Sequence, residues 1–348
     1  MDIKIGNSII GNKQKVFIIA ELSANHNQSF DLAVKTIEAM KKAGADAVKL
    51  QTYTADTITI DCNNKYFQIK QGTIWDGQNL YQLYQKAGTP WEWQPKLKKI
   101  ANDLGMEFFS SPFDKTAVDF LEKMDVPTYK VASFEITDIP FIEYIASKGK
   151  PIIISTGIAE KEDITEAISV CKRMGNNKLI LLKCTSSYPT PLENVNLMTI
   201  PDMKKRFHTI VGLSDHTLGI AASVAAVALG AQVVEKHFIL DRKIGGPDSQ
   251  FSLEPEEFKS MVNEIRNTEK ALGKVTYVLS KKSELNREFS RSLFVVEDIK
   301  EGEQFTEKNI RSIRPAFGLP PKYIKKILGK RAVKNIKRGT PLKWSLIK

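Results

Sequence analysis

Short β-branched runs alternate with amphipathic helical stretches over most of the chain, and this alternation restricts the fold more than any other feature. Helical periodicity occupies the intervals, for example at 31–43, 93–104, 161–174, 220–229 and 254–272. The runs predicted to be buried strands are residues 15–22, 47–51, 106–111, 128–133, 151–156, 179–185, 209–215 and 233–238. Eight strands that alternate with helices are typical of a (β/α)8 TIM barrel, an α/β fold.

The competing architecture is an open, doubly wound parallel sheet. Such sheets rarely contain eight strand–helix units, and no glycine-rich dinucleotide-binding motif follows the first run. We therefore expect residues 1–278 to form a barrel.

The last part of the chain has a different character. A polar stretch at 279–288 is predicted to be a linker, and residues 289–348 to form a small α+β domain with strands at 292–296 and 310–314. A domain of this size buries only a small hydrophobic core, so we expect it to pack against another protein surface.

The positive charge is concentrated in this C-terminal part. From residue 281 onward there are eighteen Lys or Arg and seven Asp or Glu, a surplus that equals the net charge of +11 of the whole chain. A basic domain is compatible with nucleic-acid binding, but the interleaved aromatic residues of single-strand binders and a recognition helix are missing. The favoured interpretation is a lid that carries positive potential toward an anionic substrate, with no nucleic-acid partner.

The sequence also restricts the compartment. No apolar run approaches the ~20 residues that cross a membrane, and the first residues lack a signal-peptide block. Its three scattered cysteines form neither a disulfide framework nor a zinc motif. We expect a cytoplasmic protein without a membrane partner.

Polar side chains collect where the predicted strands end, and in a barrel these ends share one mouth. A single serine there would be read as a helix N-cap. Several serines together with lysines suit a carboxylate and a phosphate, and a lysine inside an apolar run needs an anionic partner. The residues are Glu21, Lys49, Gln51, Ser111, Lys130, Ser133, Glu135, Ser155, Lys183, Ser186, Tyr188, Ser214, His216 and His237, with Asp248 in the loop that follows.

Two of the four histidines, His216 and His237, end the seventh and eighth runs. Either one alone would be interpreted as a buried hydrogen-bonding group. Two imidazoles at neighbouring strand ends predict a divalent-metal site completed by water and substrate oxygens. The carboxylates Glu21 and Glu135 in the same cationic mouth suggest proton transfer or water activation. Phosphoenolpyruvate carries the carboxylate and phosphate that this mouth would bind.

Ten motifs, in this order along the chain, resemble the sialic acid synthase family. They are IAELSANHN at 19–27, VKLQT at 48–52, SSPF at 110–113, YKVASFE at 129–135, STG at 155–157, KCTSSYPT at 183–190, GLSDH at 212–216, EKHF at 235–238, GPD at 246–248 and RSIRP at 311–315. The resemblance implies a TIM barrel followed by an antifreeze-like (SAF) domain. It also implies condensation of phosphoenolpyruvate with an N-acetylated amino sugar to a nine-carbon 2-keto acid, with release of phosphate.

The resemblance further implies roles for these residues. His216 and His237 would hold a divalent ion, Mn²⁺ first and Mg²⁺ or Co²⁺ as alternatives, at the sugar's aldehyde oxygen. Glu21 and Glu135 would lie near the reacting carbons. The implied contacts are Lys49, Lys130 and Ser111 for the phosphoenolpyruvate carboxylate, Ser133, Ser155, Ser186 and Ser214 for its phosphate, and Gln51, Tyr188 and Asp248 for the sugar. Arg314 would reach the mouth of a neighbouring subunit in a homodimer whose C-terminal domains are exchanged.

Two departures concern the sugar. The sialic acid branch usually reads GSGE where this chain has ASFE at 132–135, and it has Asn at the position of Ser186. Phe134 would place a bulky apolar group beside the sugar. With LSANH at 22–26 and the segment from Trp75 to Trp93, these differences resemble the pseudaminic acid synthase branch, whose sugar is 2,4-diacetamido-2,4,6-trideoxy-altrose. A neuraminic or legionaminic acid synthase is the alternative, and a metal-dependent barrel that binds or isomerises a sugar phosphate is the alternative of another class.

Overall fold

The computed structural model describes residues 2–70 and 72–348. The chain divides into two compact units, of which the first runs to Gly273 and the second spans Lys274–Lys348. None of the described helices has the length and apolarity that crossing a membrane requires.

The first unit opens with a short antiparallel hairpin and continues as a parallel barrel. The hairpin strands are β1 (Asp2–Ile5) and β2 (Ser8–Gly11). The described barrel strands are β3 (Phe17–Glu21), β4 (Ala47–Thr52), β5 (Glu107–Pro112), β6 (Tyr129–Val131), β7 (Ile152–Ser155), β8 (Leu179–Cys184), β9 (Ile210–Asp215) and β10 (Val233–His237). Because β10 pairs with β3 in parallel, from Val233 opposite Phe17 to His237 opposite Glu21, the sheet closes on itself. The predicted barrel is confirmed, and the open sheet is excluded.

Helices connect successive strands. Within the described residues they are α1 (Phe30–Lys42), α2 (Ala55–Ile58), α3 (Leu80–Ala87), α4 (Gln94–Asp103), α5 (Lys115–Lys123), α6 (Ile139–Ala146), α7 (Lys161–Arg173), α8 (Thr199–Phe207), α9 (Ala221–Ala228) and α10 (Pro255–Leu272). The last of these buries the predicted apolar stripe, from Phe258 to Ile265. Both α2 and α3 belong to an insertion between β4 and α4.

The barrel strands are apolar on both faces, and the two faces pack against different partners. Outward residues such as Ile18, Val48 and Leu181 pack with the surrounding helices. Inward residues such as Ile153 and Leu182 pack with one another in the barrel interior. This alternation with a period of two fixes which strand-end side chains point into the mouth.

The N-terminal hairpin, which the sequence reasoning did not predict, fills the amino-terminal end of the barrel. Ile3, Ile5 and Ile10 are buried in the same cluster as the inward-facing strand residues. The hairpin is also tied to β5, since the Asn7 backbone N–H donates to the Glu107 carboxylate at 2.6 Å.

The second unit contains α11 (Lys281–Asn286), β11 (Ser292–Val295), β12 (Ile310–Ile313) and α12 (Ile324–Ile327). The two strands pair antiparallel, with Ser292 opposite Ile313. Its core is a small apolar cluster made by Leu293, Val295, Ile299, Phe305, Ile310, Ile327, Ala332, Ile336, Leu342 and Leu346. The stretch predicted to be a linker at 279–288 contains α11, and the boundaries at 278 and 288 stay predictions.

Candidate active site

Most barrel strands change from apolar to polar along their inward face toward the carboxyl end. Two residues beyond the buried Ile153 comes Ser155, and two residues beyond Val233 comes Glu235. The polar layer is nevertheless almost inaccessible to solvent. Burying so many polar groups is unfavourable unless they are paired or bind a ligand, so the layer indicates a binding site at the mouth.

A buried lysine with two carboxylates forms the centre of this layer. The Lys49 Nζ lies 2.5 Å from Glu21 Oε2 and 3.5 Å from Glu235 Oε1. Burial raises the pKa of Glu21 to about 7, against the opposing effect of Lys49. Burial also opposes ionisation of Glu235, but the neighbouring Lys49 and Lys130 ammonium groups hold the pKa of its carboxyl below the ordinary value. The two carboxyl groups therefore differ: Glu235 stays ionised, whereas Glu21 gains or loses its proton near neutral pH.

A second lysine lies beside the first. Lys130 is fully buried on β6, where its Nζ donates to the Val131 carbonyl at 2.8 Å. Burial lowers the pKa of this ammonium. Ser111, at the end of β5, lies 3.4 Å from the Lys49 Nζ. Two ammonium groups and a hydroxyl on three neighbouring strands suit a small anion.

Several hydroxyls converge on the space beside Gly157. The Gly157 backbone N–H donates to Ser133 Oγ at 3.1 Å. A Cβ atom at position 157 would lie 2.2 Å from Ser186 Oγ and 2.7 Å from Ser133 Oγ, so only glycine leaves this space open. The buried hydroxyls of Ser155 and Ser186 have no hydrogen-bond partner within the described residues. Orphaned donors around a gap are what a phosphate group requires.

The two strand-end histidines are brought together, with ring centroids 5.5 Å apart. His216 Nδ1 lies 3.1 Å from the Thr185 carbonyl oxygen. The His237 Nδ1 lies 3.9 Å from Asp248 Oδ2 and has no hydrogen-bond partner in the part of the chain that is described. No group of three or more His, Cys, Asp or Glu side chains among the described residues is arranged to hold a metal. In the described part of the chain, two imidazoles therefore lie side by side without a third such side chain arranged to complete a metal site.

Glu135 ends a short turn after β6. One of its carboxylate oxygens is buried without a hydrogen-bond partner among the described residues. Burial raises the pKa of Glu135 to about 7, although Lys130 opposes the shift. The adjacent Phe134 is 59% exposed. Like Glu21, this carboxyl group can exchange a proton near neutral pH.

Polar and aromatic groups line the outer part of the mouth. The Gln51 side-chain amide donates to Glu21 at 3.3 Å and to Ser23 Oγ at 2.9 Å. Tyr188 packs on the His216 ring, with centroids 4.4 Å apart. From the insertion, Trp75 lies 5.5 Å from the Tyr188 ring. The insertion is held there because the Trp75 indole N–H donates to the Pro247 carbonyl at 2.9 Å.

Comparison with known proteins identifies this arrangement. Residues 36–277 match the NeuB family and residues 290–348 match the SAF domain. The chain belongs to the NeuB family. A pseudaminic acid synthase from Campylobacter jejuni is 50% identical over 340 residues, 98% of each chain. A pseudaminic acid synthase from Helicobacter pylori is 48% identical over 326 residues, 93% of this chain and 96% of that protein.

A solved structure agrees with the fold of this NeuB-family chain. The N-acetylneuraminic acid (sialic acid) synthetase from Leptospira borgpetersenii, in complex with citrate, superposes with a TM-score of 0.74. Its sequence is 31% identical, and the match covers 82% of this chain and 95% of that one. The predicted resemblance to the sialic acid synthase family and the predicted SAF domain are therefore confirmed.

The fold brings the predicted site residues of the barrel unit of this NeuB-family chain, except Lys183, to the strand ends and loops of the barrel mouth. Arg314 instead follows β12 in the C-terminal unit and is exposed there. Its predicted role concerns an assembly of two chains and stays a prediction. Lys183, expected to line the mouth, faces away from the barrel interior and contacts the Thr185 hydroxyl. The reason is the strand period, which turns Leu182 and Cys184 inward and Lys183 outward.

Sequence reasoning missed several residues of the mouth, among them Glu235 and Cys184. Glu235 pairs with Lys49, and Cys184 lies 3.8 Å from His216 Nδ1. A usable signal existed for Glu235, because it stands two residues before His237 and therefore shares its strand face. Cys184 likewise stands two residues before Ser186, which the sequence predicts to lie in the mouth.

Proposed function

We propose that this chain is a pseudaminic acid synthase, which condenses phosphoenolpyruvate with 2,4-diacetamido-2,4,6-trideoxy-altrose to a nine-carbon 2-keto acid and phosphate. The observation that carries the proposal is the identity of 50% and 48%, over nearly the whole chain, to the Campylobacter and Helicobacter enzymes of that name. The buried lysines and orphaned hydroxyls of the mouth support an anionic three-carbon substrate. The similarity to biosynthetic enzymes supports the further proposal that the reaction takes place in the cytoplasm.

Phosphoenolpyruvate lies with its charged groups in the inner polar layer. Lys49, Lys130 and Ser111 hold the carboxylate. The phosphate occupies the gap at Gly157, where the free hydroxyls of Ser155 and Ser186 donate to its oxygens. The other two hydroxyls predicted for this cradle are those of Ser133 and Ser214, the second of which lies 3.1 Å from Glu235 Oε1. Charge-assisted hydrogen bonds of this kind are about twice as strong as neutral ones.

A divalent ion fits the two histidines. When the His216 Nδ1–H donates to the Thr185 carbonyl, the ring's Nε2 is left as a metal ligand, an outer-shell arrangement common in metal sites. His237 has an unpartnered ring nitrogen in the described structure. When bound, the ion would polarise the aldehyde oxygen of the open-chain sugar as a Lewis acid. Its identity is proposed as Mn²⁺, with Mg²⁺ or Co²⁺ as alternatives, since ligand type alone does not choose among these ions.

We assign the proton transfers of the condensation to the carboxyl groups of Glu21 and Glu135. The C3 carbon of phosphoenolpyruvate forms the new C–C bond with the aldehyde carbon, whose oxygen becomes a hydroxyl. Water adds at C2, and loss of phosphate by C–O cleavage leaves the keto group. Glu21 and Glu135, with pKa values of about 7, can each hold a proton or accept one from the attacking water at neutral pH.

Aromatic side chains beside the histidines form a wall, and this wall favours a 6-deoxy sugar as the substrate. Trp75, Tyr188 and Phe251 pack in series beside the histidines, with the Phe251 ring 4.9 Å from the His237 ring. Gln51 and Asp248 provide polar contacts for hydroxyl and amide groups. A C6 methyl or acetamido methyl can pack on the wall, whereas a C6 hydroxyl beside it would lose a hydrogen bond at ~1–3 kcal/mol.

A homodimer with exchanged C-terminal domains completes the proposal. The start of the second unit carries Val275, Tyr277 and Val278, which are 94%, 96% and 84% exposed in the single chain. Apolar side chains this exposed favour burial against another surface. Arg314 is the group proposed to enter the partner's mouth.

Product analysis tests the function. Purified protein is incubated with phosphoenolpyruvate, Mn²⁺ and one of three sugars: the diacetamido altrose, its mannose-configured isomer, or N-acetylmannosamine. We expect phosphate release with the first and at least ~10-fold lower kcat/KM with the others, the scale of discrimination by small apolar groups. Preference for either other sugar would reassign the enzyme as a legionaminic or neuraminic acid synthase. Release of phosphate with none would favour a sugar-phosphate isomerase or binding barrel.

A further inference from the structure

The loop after β3 contains a serine in a backbone conformation that favours glycine. Ser23 has φ of 45°, and its side chain is almost fully buried, at 4% exposure. Non-glycine residues persist in this left-handed region only where their surroundings hold them, and such strain concentrates at functional sites.

The surroundings of Ser23 do hold the loop on both sides. The Asn25 side chain donates to the Phe238 carbonyl at 2.9 Å and to Ser252 Oγ at 2.8 Å. His26 is buried, with its Nε2 3.1 Å from Thr89 Oγ1. Contacts of Asn25 with the segment after β10, and of His26 with the insertion, therefore hold the loop that contains Ser23.

Ser23 lies between two groups assigned to the sugar. Its Oγ accepts a hydrogen bond from the Gln51 amide at 2.9 Å. The backbone N–H of the next residue, Ala24, donates to Asp248 Oδ2 at 3.4 Å. Hydrogen bonding from Ser23 also opposes the rise in the pKa of Asp248 that burial causes.

The contacts of Gln51 show what the serine achieves. The two N–H groups of its amide reach Glu21 and Ser23, which fixes the orientation of the amide. Its carbonyl oxygen is then the end presented to a hydroxyl or amide N–H of the sugar. Without the serine hydroxyl, the amide has one protein acceptor fewer and can rotate.

We propose that Ser23 is a positioning residue for the sugar substrate, which holds the Gln51 amide and the Asp248 carboxylate in their binding orientations. The inference rests on the proposed function of the mouth. It assigns to Ser23 no contact with phosphoenolpyruvate, which lies one layer deeper.

Two variants of Ser23 distinguish positioning of the sugar-binding groups from general structural support of the mouth. Ser23→Gly removes the hydroxyl and relieves the left-handed strain, whereas Ser23→Ala removes the hydroxyl and keeps the Cβ. His208→Gly is the matched control, because His208 has φ of 52° but is an exposed residue at the end of α8, just before β9 begins. Steady-state kinetics are measured with full-length protein for both substrates, together with melting temperatures.

We expect both Ser23 variants to raise the KM for the sugar about tenfold, the usual scale for one lost hydrogen bond, and to change the KM for phosphoenolpyruvate less than twofold. Ser23→Gly should melt at or above the wild-type temperature, and His208→Gly should keep wild-type kinetics. A sugar KM within twofold of wild type in both variants overturns the inference. So does a parallel rise of both KM values with a lower melting temperature, which would mean general support of the mouth. The assay uses whichever acetamido sugar the wild type turns over best, so a different preferred sugar counts against the proposed function alone.

Discussion

Lys49 and Glu21 form a buried ion pair at the centre of the barrel mouth, with Nζ and Oε2 2.5 Å apart. Glu235 approaches the same ammonium from β10, at 3.5 Å. The carboxylates outweigh the effect of burial and raise the pKa of Lys49, so this lysine stays charged. The cation proposed to bind the phosphoenolpyruvate carboxylate is therefore held in place by two protein carboxylates.

Replacing this cation should weaken phosphoenolpyruvate binding selectively. We expect Lys49→Gln to raise the phosphoenolpyruvate KM by ~10–150-fold, the range of a hydrogen bond to a charged group. Lys183→Gln is the control, because Lys183 also lies near the carboxyl end of a barrel strand, β8, but faces outward. The phosphoenolpyruvate KM of Lys183→Gln should stay within twofold of wild type. An equal rise of this KM in the two variants would contradict the proposed contact between Lys49 and the substrate carboxylate.

Glu135 should make the free enzyme less stable as the pH rises. The pKa of this carboxyl is raised from 4.5 to about 7 by burial, so the folded state binds its proton more tightly than the unfolded state. The resulting stabilisation is complete below pH ~4.5 and lost as the pH rises through ~7. Thermal melts of Glu135→Gln should match wild type near pH 5 and lie several degrees above it at pH 8. As a control, Glu143→Gln, which replaces an exposed carboxyl group, should melt at the wild-type temperature at both pH 5 and pH 8. If Glu135→Gln melts above wild type by the same amount at both pH values, the raised pKa of Glu135 is not the cause.

Metal content should depend on the two histidines. Chelation is expected to abolish turnover, and Mn²⁺, Mg²⁺ or Co²⁺ to restore it. His237→Ala should lower the Mn²⁺ affinity, measured by calorimetry without substrates, at least ~10-fold. Near-normal affinity and activity in this variant would show that the ion binds elsewhere.

The exchanged domain can be tested by mixing inactive chains. Arg314→Ala and Glu21→Gln, each of low activity alone, should regain part of the activity in mixed dimers, because one composite site then has both residues. Deletion of the chain after about residue 280 should abolish condensation and weaken dimerisation. Absence of recovery in dimers shown by mass spectrometry to be mixed would place Arg314 outside the partner's site.

The origin of the keto oxygen tests whether the C–O or the P–O bond of phosphoenolpyruvate breaks. C–O cleavage predicts that ¹⁸O from solvent water enters the 2-keto acid, analysed rapidly or after reduction to prevent exchange. The released phosphate should carry no solvent label. Label in the phosphate instead would demonstrate P–O cleavage and rule out the proposed addition of water at C2.

The barrel was predictable because its strands are apolar on both faces and its helices have one apolar stripe each. The strand ends could therefore be placed to within about two residues, and the inward serines followed from the period of two. The N-terminal hairpin was not predictable in this way, since its two strands of four residues contain too few apolar positions to form a pattern.

Distances and pairings inside the mouth required the structure. The sequence places Glu235 in an apolar run, but only the closed barrel brings β10 beside β3 and the carboxylate to Lys49. The strained φ of Ser23 has no signature in its neighbours along the chain. The position of Arg314 relative to a mouth depends on a second chain, which no pattern in one sequence defines.

The hairpin that fills the amino-terminal end of the barrel also restricts where the reactants can enter. With Ile3, Ile5 and Ile10 closing that end, both reactants share one entrance. If phosphoenolpyruvate binds in the inner layer, as proposed, it must enter before the sugar that covers it, and the keto acid must leave before inorganic phosphate. We therefore expect compulsory-order kinetics, in which sugar that binds before phosphoenolpyruvate inhibits the reaction.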